Sequence, residues 1–514
     1  MPSPLVIGVL TAVVAVSLQA VFLAFSSERL SRIAGPKLYA FTKWRLAWDD
    51  WTGQRTRSIH ALHLKHGPVV RIGPNEVHFS SLSALRSIYG AGSGFERTGF
   101  YRMFDAYGKK NLFTFESVAD HAKRKRLVAH AYSKSSMLKG HTAGIVQDKI
   151  RDFLDLVQRT KREDGLEIFT ALHYYAIDVI TTFLYGSKEF GATTALQGDK
   201  IHQTLLNDII DPARRRLSWF AVHLPSLTTW LYTRTGFLGR IADPLLPMKK
   251  PATYTGIRAH AYKAMHTYRD ATPSAQEKAA GSIIERLWKV KETASLDELD
   301  IASECADHLL AGIDTTSDTL MFLVWCLSLP QNSHVQDRLI EECQSVSSTA
   351  FDNGAIDLEV ADRLPYLDAV IKETLRLFAP LSASEPRSSP VNTVIDGVEI
   401  PRGTVCSMDP YTLHRNEEVF PEPLKWNPER WLDSESNENL TEMKKWWWAF
   451  SSGARMCIGM HLAMAEMALV PSIYRKYSTL IKPGFEKIAP GITSRFEVFT
   501  DETFAEMKVS SHIE

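Results

Sequence analysis

The sequence has no surplus of either charge: 59 basic side chains face 59 acidic ones in 514 residues. A protein held to nucleic acid by neutralising phosphates needs a basic excess, so no nucleic-acid partner is expected. Cysteine is scarce and scattered. Cys305, Cys326, Cys343, Cys406 and Cys457 form no Cys-x-x-Cys pair and no zinc-ligand spacing, and an odd number cannot pair off completely. This excludes a disulfide scaffold and a structural zinc module. It fits a reducing compartment in which at most one cysteine has a task. No segment recurs at a fixed period, which excludes a solenoid or a propeller. A convincing linker is missing after residue 60. Roughly 150 residues per domain would divide the chain in three, but without a linker a single large body over 61–514 is expected.

What is present begins with one long uncharged run, Leu5 to Phe25. At about 1.5 Å per residue it reaches the ~30 Å of a hydrocarbon core. Glu28, Arg29, Arg32 and Lys37 follow at once, and nothing basic precedes. The positive-inside rule then puts a short lumenal N-terminus at 1–4, a transmembrane signal anchor at 5–25, and the rest on the cytosolic face. Residues 26–60 read as a linker leading into the body, with Gly35-Pro36 as a break. A cleaved signal peptide competes, since Ala24-Phe25-Ser26 offers a small-x-small site. That reading wants a basic start and a shorter apolar run. A single-pass protein of the endoplasmic reticulum membrane is therefore expected.

The body reads as mainly α with small β-sheets. "GPVVRIGPNEVHFSS" (67–81) alternates β-branched and polar residues about a Gly-Pro turn, which predicts two short strands. Asp396-Gly397 predicts a hairpin. "ADHAKRKRLVAHAYS" is helical by period, as are "YLDAVIKETLRLFAP", stopped by Pro380, and "MHLAMAEMALVPSIYRKY" after Gly459. The stretch 303–329 is a long helix ending at Pro330, apolar enough to cross the centre of a core.

Four stretches carry chemistry. In "FSSGARMCIG" (450–459), Gly453 and Gly459 permit a sharp turn around Cys457, and Arg455 adds a positive charge two residues away. A buried thiolate is costly unless paired or metal-bound, so this turn suits a cysteine that ligates a metal. Arg455 has two candidate partners, the thiolate itself or an anionic group of a cofactor. In "AGIDTT" (311–316), Ala311 and Gly312 remove bulk so that a flat ligand can approach the backbone. Thr315 shares a face with Ala311 and can bond back to the carbonyl a turn earlier; Asp314 beside it can relay protons. "KETLR" sets Glu373 and Arg376 three apart on one helix face, and "NPERW" (427–431) presents Arg430 on a turn.

These four motifs, in this order, resemble the cytochrome P450 family, over roughly residues 30 to 490. The resemblance implies a single large P450-like domain holding haem b (iron protoporphyrin IX), with Cys457 as the iron ligand. Phe450, Gly453, Arg455 and Ala311 would flank the cofactor. Arg455, His121, Lys125 and Arg387 would meet its propionates, His121 standing where tryptophan is commoner. Asp314 and Thr315 would deliver protons to bound dioxygen, and Glu373, Arg376 and Arg430 would form a buried network that fixes the haem loop. The other basic residues of 123–126 would face outward and steer an acidic electron donor. The implied activity is a monooxygenase that takes electrons from NADPH through a flavoprotein reductase, activates O2, and oxidises a lipophilic small molecule. Fungal secondary metabolism is suggested by the style of "HRNEEVFPEPLKWNPERW". The alternative is a haem-thiolate isomerase or dehydratase working without O2, which the retained acid–alcohol pair disfavours. The substrate pocket is expected from residues 95–104, 205–231, His308, Ala311 and 381–384. The apolar, aromatic segment 219–232 is a candidate for dipping into the bilayer.

Overall fold

The computed structural model of the protein describes residues 28–160, 165–233, 254–433, 439–481 and 506–511, with Val14, Val16 and Phe237. Apart from Val14 and Val16, the expected anchor over 5–25 lies outside the described residues.

Helices dominate, and the longest organises the rest. Helix α5 (Glu298–Ser328) has 31 residues and starts five residues before the expected helix. The signal for that start is a capping box. The Asp297 side chain accepts from Asp300 N (2.8 Å), and the Asp300 side chain accepts in return from Asp297 N (3.0 Å). The helix stops at Leu329, before Pro330. Against α5 lies α3 (Ile168–Tyr185), buried on nearly every face. Both helices are long and apolar enough to cross a membrane, yet 83% of the apolar window of α3 and 67% of that of α5 are buried within the body. Their apolarity is that of core helices. Gly312 makes their contact possible, because a Cβ there would stand 2.6 Å from Ile180. The glycine therefore serves the packing of the two helices as well as bordering the cavity.

A second layer of small sheets sits to one side. Strands β1 (Val69–Gly73) and β2 (Glu76–Phe79) form the expected antiparallel pair. Strand β3 (Glu96–Arg97) pairs with β4 (Arg387–Ser388), and β5 (Val405–Ser407) joins β4 to β2, in the order β1-β2-β5-β4-β3. The hairpin at Asp396-Gly397 forms between Thr393–Ile395 and Val398–Ile400, with φ of 50° and 75° at the two turn residues, the pattern of a two-residue left-handed turn.

Two expectations need correction. Residues 28–60 are packed helices rather than a linker: Leu30, Tyr39, Leu46 and Ala47 are buried, and Tyr39 Oη donates to Asp49. The helix after Gly459 is two helices, Met460–Glu466 and Leu469–Tyr474. Pro471 cannot donate to the carbonyl of Met467, and the chain tightens there, Val470 N donating to Met467 O (2.9 Å).

Candidate active site

Cys457 lies on a turn closed by main-chain bonds. Its N–H donates to Phe450 O (2.9 Å), and Met456 N donates to Gly453 O (3.1 Å). Gly453 has φ of 64°, and a Cβ there would stand 2.3 Å from Tyr89 O, so the turn presses against a neighbouring backbone that leaves room for glycine alone. Of the five cysteines Cys457 is the one not buried by protein, and its sulfur borders the central cavity. The backbone N–H groups of Gly459 and Met460 point at it. Burial pushes the thiol up from its usual value, while those amides and the nearby Lys125 ammonium favour the thiolate.

The facing wall of the cavity is α5, which contributes Asp307, His308, Ala311, Gly312, Thr315, Thr316 and Thr319. Thr315 Oγ1 donates to Ala311 O (2.7 Å), as expected, so its lone pairs remain to accept from the cavity. Asp314 is not among the cavity-lining residues. Its Oδ1 lies 3.7 Å from Nε2 of His173 on α3. His173 Nδ1 is 2.7 Å from Phe169 O, which assigns the proton to Nδ1 and aims Nε2 at Asp314. Burial works against charging His173, but Asp314 and Asp318 together outweigh it and the imidazole's pKa is raised.

One rim of the cavity is strongly cationic. Strand pairing sets Arg97 opposite Arg387. Arg387 donates to Tyr101 Oη (2.6 Å) and Glu385 (3.1 Å). Arg97 donates to the carbonyls of Leu112 (3.4 Å) and Phe113. Arg455 reaches across to Phe115 O (2.5 Å) and Glu116 O (2.8 Å), so it turns away from the thiolate. Lys125, on α2 (Val118–Val128), donates to Ala454 O (2.9 Å) on the cysteine turn. Burial and mutual repulsion lower Arg97 to about 10 and Arg455 to about 9. His121, one turn before Lys125, is pushed down to about 3, by burial first and then by Arg455 and Arg97. It is a neutral hydrogen-bonding group, not the cation expected of a propionate partner. A neutral imidazole N–H can do what an indole N–H does in that place.

This rim suits a group with two carboxylates beside a flat apolar body. Arg97 Nε and Arg455 Nε are buried with no hydrogen-bond partner among the described residues. Crowded cations and unpaired donors are stabilised by anions, and Cys457 and Ala311 line the same cavity. The residues present therefore fit haem. Arg97 was missed in the sequence; nothing local distinguishes it, and its place follows from pairing with a strand far along the chain.

Behind the site, Glu373 and Arg376 are fully buried on α6 (Pro365–Leu377). Arg376 binds Glu373 through Nε (2.9 Å) and Nη2 (2.8 Å), and Arg430 Nε joins at 3.0 Å. Two other readings do not hold. Arg124 faces inward, bonding Glu304 at 2.6 Å, while Lys123 and Arg126 face outward. Among the described residues, none of 205–231 lines the cavity. Trp219 is instead tied to α1 (Trp44–Trp51): its Nε1 donates to Ala47 O (2.7 Å) and its ring meets Trp51 edge-on at 5.2 Å. Leu112, Phe113 and Tyr132 line the cavity in its place.

Comparison with known proteins finds a family match and several relatives. The sequence model of the family described as Cytochrome P450 matches residues 44–488. Cytochrome P450 monooxygenase stcB of Emericella nidulans is 30% identical, over 89% of this chain and 83% of that protein. Cytochrome P450 monooxygenase aflV of Aspergillus parasiticus is 27% identical, over 93% of this chain and 89% of its own. Pisatin demethylase of Fusarium vanettenii is 26% identical, over 90% and 85%.

Proposed function

The chain belongs to the cytochrome P450 family, enzymes with haem b as their cofactor, and from that premise we propose a membrane-held monooxygenase that oxidises a lipophilic intermediate of fungal secondary metabolism. Its electrons would come from NADPH through a flavoprotein reductase. One arrangement supports the reading: Cys457 and Thr315 border one cavity whose rim is cationic. Cys457 would hold the iron, with Phe450 and Gly453 shaping its turn and Ala311 leaving room above. Arg97, Arg387, Arg455, Lys125 and neutral His121 would receive the propionates. Haem ligated by thiolate, the general arrangement of this family, supplies the O2 activation.

The protein's own part is proton handling and a dry, shaped cavity. Thr315 spends its proton on Ala311 O, so its oxygen can accept from a water and orient that water's second proton into the cavity. Asp314, one residue along, would relay protons toward that water, with the His173 imidazole beside it as the group that holds them. The test is spectral and then kinetic. Reduced protein given carbon monoxide should show the red-shifted Soret band of thiolate ligation, and NADPH should be consumed only when the reductase is added. A normal band without reductase-dependent consumption would defeat the monooxygenase reading. Thr315→Ala should keep its haem but release reducing equivalents as hydrogen peroxide, with product per NADPH down about tenfold or more. Full coupling in that variant would refute its role.

Membrane association is common in the family, and a surface supports it here. Trp44, Trp48 and Trp51 share one face of α1 by their spacing and are exposed, Trp48 by 61%. Trp219 ties α1 to the segment leading into α4 (Pro225–Thr233), where Leu227 and Trp230 are also exposed. Exposed tryptophans in the chain that follows an apolar run suit a bilayer interface. In a chain lacking residues 1–25, Trp48→Ser with Trp230→Ser should weaken liposome binding about tenfold. Unchanged partition in a flotation assay would count against this surface.

A further inference from the structure

Beyond the cysteine, the threonine and the cationic rim, the cavity carries polar groups that neither ligation nor proton delivery uses, and two of them are neighbours. Asp307 and His308 sit on α5 one turn before Ala311 and Gly312, and both line the cavity. With Glu304 they form a cluster whose candidate ligand atoms lie within 4.8 Å of one another. Glu304 is already engaged: Arg124 Nη1 donates to Oε1 (2.6 Å) and Leu112 N to Oε2 (3.2 Å). That bonding leaves Asp307 and His308 facing inward.

His308 is 5% exposed. Its Nδ1 lies 2.8 Å from Tyr132 Oη. Burial keeps the Tyr132 phenol protonated and lowers His308 to about 4, so both are neutral. The Glu304 oxygen on the Nε2 side favours the tautomer with its proton on Nε2, to whose Nδ1 the phenol then donates. That Nε2–H has no hydrogen-bond partner among the described residues; Glu304 Oε2, at 3.6 Å, is too far. Asp307 faces Glu304, Arg97 and Asp105, and accepts from the Phe113 backbone N–H. Burial and the neighbouring Glu304 push its carboxyl well up, against the pull of Arg97, so it too offers a proton. Two donors within 4.8 Å of each other, in a cavity that Leu112, Phe113, Tyr101 and Leu381 also line, are matched by one acceptor oxygen on an apolar body.

We propose that Asp307 and His308 form a two-donor clamp that recognises a carbonyl oxygen on an otherwise apolar substrate. The clamp rests on the haem-enzyme reading above, which supplies the reactive end of the same cavity. It sets which substrate is held and in which orientation; it takes no part in the chemistry. An amide at 307 keeps a donor, so Asp307→Asn should preserve recognition where Asp307→Leu destroys it.

The test uses the haem-loaded full chain and azole probes that bind through the iron whatever else they touch: 1-(3-acetylphenyl)imidazole, 1-(4-acetylphenyl)imidazole and their ethyl counterparts, titrated by the Soret shift. At least one acetyl isomer should bind the unaltered protein about tenfold more tightly than its ethyl counterpart. Asp307→Leu and His308→Phe should each erase most of that preference while ethyl binding stays within about twofold, and Asp307→Asn should retain it. The carbon monoxide spectrum of each variant reports whether its haem site is intact. Equal binding of acetyl and ethyl probes to the unaltered protein, or a preference surviving both apolar variants, would overturn the clamp. A missing Soret shift with every probe would bring down the haem site itself, and the clamp with it.

Discussion

Cys457→Ala is expected to lose the thiolate spectrum and all turnover while keeping the fold. The two halves of this expectation have separate causes. The turn is closed by Cys457 N to Phe450 O and Met456 N to Gly453 O, main-chain bonds that alanine also makes. Its tightness comes from Gly453, whose α-carbon lies against the Tyr89 carbonyl. Removing one sulfur therefore costs little in packing, and far-ultraviolet circular dichroism should be unchanged. Ligation has no such backup. Cys305, Cys326, Cys343 and Cys406 are all buried elsewhere, and none lines the cavity. The reduced carbon monoxide complex should lose its red-shifted band, and oxidation of any substrate should fall to background. A variant with the band intact would show that another group holds the iron.

Much of this site was legible because its motifs are local. The glycines and the cysteine of the turn lie within ten residues, and Thr315 reaches the carbonyl one turn back on its own helix. What failed to show was direction and distance. Successive residues on a helix point about 100° apart; Thr315 and Thr316 turn to the cavity, whereas Asp314, on the other side of Thr315 in sequence, faces His173. Arg124 carried a readable signal that was passed over: it lies three residues after His121, on the buried face of α2. The spacing of Trp44, Trp48 and Trp51 was equally available. Arg97 was not, since its role follows from the pairing of β3 with β4 and no local pattern announces such a pairing. Trp219 has the composition of a membrane-dipping residue, but its indole N–H finds the Ala47 carbonyl and turns inward.

The other large effect is expected far from the iron. Glu373→Gln should destabilise the protein by about 3–5 kcal/mol, because it strands two buried guanidinium groups. Glu373 accepts from Arg376 Nε and Nη2, Arg430 Nε, Trp431 Nε1 (2.9 Å) and Asn427 N (2.8 Å). A neutral amide offers one acceptor oxygen to these donors and adds N–H groups that face them. The damage should travel to the haem turn by a definite route. Arg376 Nη1 donates to His414 O (2.9 Å), and His414 Nδ1 lies 3.0 Å from Arg376 O. His414 Nε2 accepts from Trp448 N (2.8 Å), at the start of the segment that carries Phe450 and Cys457. Burial and the neighbouring Arg376 lower His414 to about 3, so it stays neutral and keeps one nitrogen as acceptor and the other as donor. The network is thus an anchor for the turn as well as a store of buried charge. Thermal unfolding of the haem-loaded variant should begin at lower temperature, with haem released in the same transition. His414→Phe keeps the ion pair but cuts the link to Trp448, so it should loosen haem with a smaller stability loss, about 1–2 kcal/mol. Should both variants lose stability equally and release haem alike, the route through His414 would carry no separate weight and the ion pair alone would explain the fold.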